Sequence, residues 1–107
     1  MTTAIKNEIQ HIVKQIITGY KPENIILFGS YANGTNSIQS DIDLVIIKET
    51  SDRFVERLKK ISAVAKTWEA MDMLVYTPEE WSDALSKGHY FIKQISNTGK
   101  VLYEKRS

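Results

Sequence analysis

Ile25-Ile26-Leu27-Phe28-Gly29-Ser30-Tyr31-Ala32-Asn33-Gly34, followed after a polar stretch by Ser40-Asp41-Ile42-Asp43-Leu44, decides how this chain is read. Residues 25 to 28 are short, branched and wholly apolar, as a buried strand requires, and Asp41 to Ile47 reads as a second strand. Between them Gly29 lets the backbone turn sharply at a strand end, so that Gly29 and Ser30 present N–H groups to an anion. Side chains two apart in a strand share a face, so Asp41 and Asp43 point the same way while Ile42 and Leu44 point into the core. Parallel carboxylates repel unless something positive lies between them. A hard divalent cation with oxygen ligands, Mg²⁺ foremost, is the expected occupant.

Outward from this segment the pattern alternates helix and strand. Ile5, Ile9, Ile12, Val13, Ile16 and Ile17 lie on one stripe of a 3.6-residue period, and Gly19 followed by Pro22 is the expected stop. The stretch between the first two strands reads as a polar loop. Phe54, Leu58, Ile61, Ala65 and Trp68 recur at helical spacing, giving a second helix entered at Thr50-Ser51-Asp52. Met71 to Tyr76 reads as a third strand in which Asp72 is a lone charge; burying it unpaired would be costly. If that strand lies beside the second, Asp72 reaches the ion held by Asp41 and Asp43. Thr77-Pro78-Glu79-Glu80 combines an N-cap, a first-turn proline and a glutamate three residues after the cap, so a helix starts there and ends near Gly88. Tyr90 to Asn97 is helical, Gly99 closes it, and Val101-Leu102-Tyr103 forms a short extended tail. The fold class is therefore α/β (α+β): a small mixed sheet flanked by helices.

Composition narrows the functions. The 107 residues suit one domain, 1–107, with no room for a second lobe. Fourteen basic and 13 acidic side chains give a formal charge of +1, which argues against a direct grip on a polynucleotide. The absence of cysteine removes disulfides and thiolate zinc sites. The start, Met1 to Lys6, lacks a signal-peptide apolar region, and no run of about 18 apolar residues is present to span a bilayer. The expected place is the cytoplasm, with no membrane partner.

Carboxylates, metal and backbone amides suit phosphoryl and nucleotidyl transfer, which demands charge neutralisation and in-line positioning more than covalent help. Two ions about 3.5–4 Å apart can clamp the attacking and leaving oxygens. Here Asp41 and Asp43 would bridge both ions, Asp72 would bind the catalytic ion and draw the proton from the incoming hydroxyl, and Gly29 with Ser30 would hold the phosphate tail.

Gly29-Ser30, then Ser40-Asp41-Ile42-Asp43-Leu44, with Asp72 in a later strand, resembles the nucleotidyltransferase superfamily that includes DNA polymerase beta. The brevity of the chain, with Val75 to Trp81 and Gly99 to Tyr103, is similar to its minimal nucleotidyltransferase branch. The resemblance implies the polymerase beta-like fold, ATP or another NTP as substrate, Mg²⁺, and a nucleotide site including Gly29, Ser30, Tyr31, Asn33 and Ser40. It further implies an antitoxin that pairs with a helical HEPN-domain toxin as a hetero-oligomer and silences it by moving AMP onto a tyrosine. One departure stands out. Many relatives carry an arginine just before the second glycine of the turn, where this chain has Asn33; Lys48 or a partner's side chain is the candidate to replace that charge. The alternative reading is a non-catalytic module that neutralises its toxin by contact alone.

Other residues read more plainly. His11 and His89 lack a second ligand at metal spacing. Trp68 and Trp81 fit core packing. Tyr31 sits in the cradle, either covering the loop or facing a base. Lys59, Lys60, Lys105 and Arg106 read as solvated charge.

Overall fold

The computed structural model describes residues 1–37 and 39–106. Helix α1 (Thr3–Tyr20) begins at Thr2, whose side chain accepts from the Ile5 N–H at 3.2 Å, and buries Ile9, Ile12, Val13, Ile16 and Tyr20 on one stripe. It runs through Gly19, contrary to the expected stop. The turn is made instead by Lys21 in the left-handed region, φ 54°, ahead of Pro22. Gly19 serves packing: a Cβ there would lie 2.7 Å from Val64 Cγ1, so the missing side chain lets a second helix approach.

Strand β1 (Asn24–Phe28) leads through Gly29 into a short helix, α2 (Ser30–Asn33), where a loop was expected. Strand β2 (Ile42–Ile47) follows, then α3 (Phe54–Val64), β3 (Met71–Tyr76), α4 (Pro78–Ser86), α5 (Tyr90–Thr98) and β4 (Lys100–Glu104). Helix α3 starts after Arg53 rather than at Thr50–Asp52, and Ala65 turns extended at its end. Trp68 therefore falls outside the helix and is fully exposed, not packed in the core; Trp81 is half-buried against Tyr76. The capping box at α4 forms as its sequence requires: Thr77 Oγ1 accepts from the Glu80 N–H at 3.1 Å and Glu80 accepts from the Thr77 N–H at 2.8 Å. The expected tail is a true edge strand, with Ile25 opposite Tyr103 and Ile26 opposite Val101 across a bulge.

The sheet order is β3-β2-β1-β4, with β1 antiparallel to both neighbours and β2 parallel to β3. The α3 crossover makes the parallel pairing reachable. One face of the sheet, with Ile25, Leu27, Ile42, Leu44 and Ile46, packs under α1 and α3; the other, with Ile26, Val45 and Ile47, packs on Ile95 of α5 and Trp81 of α4. A slip of one residue in β2 would turn Ile42, Leu44 and Ile46 outward, each of them worth about 1.5–3 kcal/mol when buried, so the alternation pins the register. The same register sets where Asp43 points. No helix among the described residues is long and apolar enough to cross a membrane.

Candidate active site

Asp43, the second residue of β2, shares its face with Val45 and Ile47 and lies at the end of the sheet where β1 leaves and β3 enters. Its neighbour on β3 is Asp72, paired with it in the parallel register. Its neighbour on β1 is Phe28, paired in the antiparallel register. Asp41 immediately precedes β2 and is exposed, as is Asp72, whereas Asp43 is half-buried. Asp72 is thus not a buried charge: β3 forms the sheet edge and leaves its carboxylate open to water.

Gly29 joins this acidic corner to the turn. Its φ of 76° belongs to the region that favours glycine, and a Cβ there would stand 2.2 Å from Asp43 Oδ2. The carboxylate therefore rests in the space a side chain would fill. Gly29 also places its carbonyl under α2, accepting from the Ala32 and Asn33 N–H groups at 3.1 and 3.0 Å. The first N–H groups of such a turn have no partner within the helix, Ser30 among them.

Electrostatics mark the same residue. Burial raises the Asp43 carboxyl above the usual carboxylate range, and the charges of Asp72 and then Asp41 push in the same direction. The ion pairs among the described residues lie elsewhere: Arg57–Glu80 at 2.7 Å, Lys59–Glu56 at 3.7 Å, Lys60–Asp52 at 2.6 Å and Lys87–Asp83 at 3.0 Å. Lys60 and Lys59 face these carboxylates yet keep 59% and 70% of their side chains exposed, as solvated charge does. Lys48 does not supply charge to the turn. It follows the far end of β2, where its Nζ donates to the Lys21 carbonyl at 3.1 Å and lies 5.3 Å over the Tyr20 ring.

The donor set fits a hard cation: all oxygen, mutually repelling, and backed by a carboxylate that burial makes reluctant to ionise alone. It is not gathered into a coordination cluster. Among the described residues no three acidic or histidine side chains stand close enough to share an ion. The expected convergence of Asp41, Asp43 and Asp72 on one ion is thus not met in this arrangement, in which Asp43 and Asp72 are register neighbours and Asp41 lies just before the strand.

The remaining residues of the expected nucleotide site divide. Asn33 ends α2 and is exposed. Tyr31 is 5% exposed, part of the core, and its hydroxyl makes a long 3.4 Å contact with the Ser40 carbonyl; it is a post beneath the loop, with no free face for a base. Ser40 Oγ accepts from the Ser37 N–H at 2.7 Å and so shapes the return into β2. His89 caps α5, accepting from the Ile92 N–H at 3.5 Å, and His11 is exposed on α1. Sequence reasoning passed over Phe28 and Phe91, whose rings meet edge to face at 5.8 Å beside Asp43. No local pattern marked Phe28, because a long connection containing α2 separates it from Asp43 and the length of such a connection does not set the register.

A groove of 520 Å³ bounded by Glu8, His11, Gln15, Lys66, Thr67 and Trp68 lies between α1 and the α3–β3 connection. It is away from the acidic face, and its polar groups satisfy one another: the Thr67 hydroxyl donates to Glu8 and the Lys66 N–H to Gln15 Oε1. The carboxylate corner, not this groove, is the candidate site.

The family model of polymerase beta nucleotidyltransferases matches residues 7–107, and the chain belongs to that family. No curated protein matches it. Among solved structures it is similar to a toxin–antitoxin crystallised with AMP-PNP, at 24% identity over 94% of this chain and 75% of the other, TM-score 0.66. A second similar structure is described as a putative nucleotidyltransferase from Sulfolobus solfataricus, at 17% identity over 98% of this chain and 90% of that one, TM-score 0.65. A third is the toxin–antitoxin MntA–HpeT with two aspartates changed to glutamate, at 22% identity over 91% and 73%, TM-score 0.62. At these identities the likeness is one of fold.

Proposed function

We propose that this chain is a Mg²⁺-dependent nucleotidyltransferase that moves AMP from ATP to a hydroxyl of a partner protein. In this reading it works in the cytoplasm, as one domain, as the antitoxin of a toxin–antitoxin pair whose toxin is of the helical HEPN type. The observation that carries the proposal is the register pairing of Asp43 with Asp72 next to a glycine whose missing side chain makes room for the Asp43 carboxylate. The fold likeness to toxin–antitoxin structures, one of them holding AMP-PNP, supports the biological setting.

Asp41, Asp43 and Asp72 would hold the magnesium, which supplies positive charge against the triphosphate. The turn at Gly29 and Ser30 offers N–H groups to the phosphate oxygens. Asp72, which lies on the open edge strand, would take the proton of the acceptor hydroxyl. The acceptor oxygen then forms its bond to the α-phosphorus as the bond to pyrophosphate breaks.

Incubating the protein with α-labelled ATP, MgCl₂ and the product of the adjacent gene tests this. Label on that protein with wild type, reduced at least about a hundredfold by Asp43→Ala, is the expected result. No label in either case contradicts the reading. A second reading, neutralisation by contact alone, is favoured by Asn33 bringing no positive charge and by Lys48 being tied at the far end of the sheet. It predicts neutralisation that survives both Asp41→Ala and Asp43→Ala.

A further inference from the structure

We infer that Phe91, held from behind by Phe28, is the platform on which the base of the nucleoside triphosphate stacks; this rests on the nucleotide reading above and adds the residue that grips the base. Two unlike neighbours flank Asp43. On the β3 side stands another carboxylate, Asp72, and on the β1 side stands Phe28. The acidic corner is therefore polar on one flank and aromatic on the other.

Phe28 is half-buried and leads directly into Gly29, so its position is fixed by the same turn that shapes the phosphate cradle. Against it the Phe91 ring stands edge to face, 5.8 Å between centroids and 88° between planes. Phe91 comes from the first turn of α5, whose Ile92 and Ile95 are buried and anchor the helix, yet Phe91 itself keeps 40% of its surface exposed. Phe28 is the cross-strand neighbour of Asp43 and Phe91 stands against Phe28, so the exposed Phe91 ring belongs to the aromatic flank of the acidic corner. Tyr31, the aromatic that the cradle sequence first suggests for a base, is removed from this role by its burial. Trp68 and the Tyr76–Trp81 pair lie elsewhere: the first borders the groove by α1, the second sits at the opposite end of β3.

A rigid aromatic face beside a charged phosphate site suits a planar, neutral ring, and stacking of this kind tolerates any base. The inference therefore predicts affinity from the base with little discrimination among bases.

Calorimetric titration with Mg²⁺ and either AMP-PNP or inorganic tripolyphosphate tests it, using wild type, Phe91→Ala, Phe91→Leu and Phe91→Trp. Phe91→Leu keeps apolar bulk against Phe28 while losing the planar face, which guards against a folding artefact. The expected result is AMP-PNP bound about tenfold more weakly by the alanine and leucine variants, restored by tryptophan, with tripolyphosphate unchanged throughout. Unchanged AMP-PNP affinity in Phe91→Ala overturns the inference, and so does an equal loss for both ligands, which would mark a structural role. Wild type that binds tripolyphosphate as tightly as AMP-PNP overturns the base platform and leaves the phosphate site standing. Wild type that binds neither removes the nucleotide site itself, and the platform with it.

Discussion

Gly29 does two jobs that no other residue can combine. It adopts φ 76°, and it vacates the space that Asp43 Oδ2 occupies. Alanine at this position would carry about 1–3 kcal/mol of backbone strain, because φ 76° with ψ −154° is a conformation essentially confined to glycine, and its Cβ would push the carboxylate away from the turn. Gly29→Ala is accordingly expected to lower the urea midpoint modestly and to weaken Mg²⁺·AMP-PNP binding by more than tenfold; a variant that loses stability while binding normally would separate the glycine from the site. Gly34, also at φ 76°, offers the contrast, since a Cβ there meets nothing within 4 Å. Its replacement carries backbone strain alone.

At the scale of elements, the link between α3, β3 and α4 runs through one ion pair. Arg57 is buried in α3, and its guanidinium grips both oxygens of Glu80, at 2.7 and 3.1 Å, while Nε donates to the Asp52 carbonyl at 3.0 Å. Glu80 at the same time completes the α4 capping box. The Arg57 guanidinium holds the Glu80 carboxyl below its usual range. A depressed folded value means that Glu80 stabilises the fold at pH above the unfolded carboxylate value, and that this contribution fades as pH falls through the folded one. Glu80→Gln should therefore destabilise at neutral pH and flatten the loss of thermal stability on acidification, as read from melting temperatures between about pH 7 and pH 3. The site lies at the other end of β3, so nucleotide affinity should hold.

How far the elements could be read from the sequence follows from which forces set them. Met71 to Tyr76 and the Thr77 capping box were legible because both depend on neighbours in sequence. The short helix at Ser30–Asn33 was hidden in a polar stretch, since a four-residue turn has no apolar period to show. Trp68 looked like core because it continues a helical spacing, but the helix stops at Val64 and the spacing ceases to matter. Gly19 looked like a stop because its reason for being glycine, the approach of Val64, is a tertiary contact. The aspartates of the site were legible individually; that Asp72 sits level with Asp43 depended on a parallel pairing that no local pattern specifies.

Across the whole molecule, polar chemistry is concentrated at one end of an otherwise apolar sheet. Both faces of β2 are buried beyond Asp43, under α1 and α3 on one side and under α4 and α5 on the other. The carboxylates emerge only where the strand begins. An arrangement of this kind sets groups that repel each other on a rigid base. The formal charge of +1 gives the molecule no wide positive field, which agrees with the proposal of a ligand recognised locally by a metal and a turn.

Crystals grown with Mn²⁺ and AMP-PNP give the most direct measurement of that claim, because anomalous scattering locates the metal independently of the nucleotide. The account predicts an anomalous peak in contact with carboxylate oxygens of Asp41, Asp43 and Asp72, with the phosphates against the Gly29–Ser30 turn. Nucleotide seated elsewhere, or a carboxylate corner without manganese while the nucleotide is bound, would contradict it.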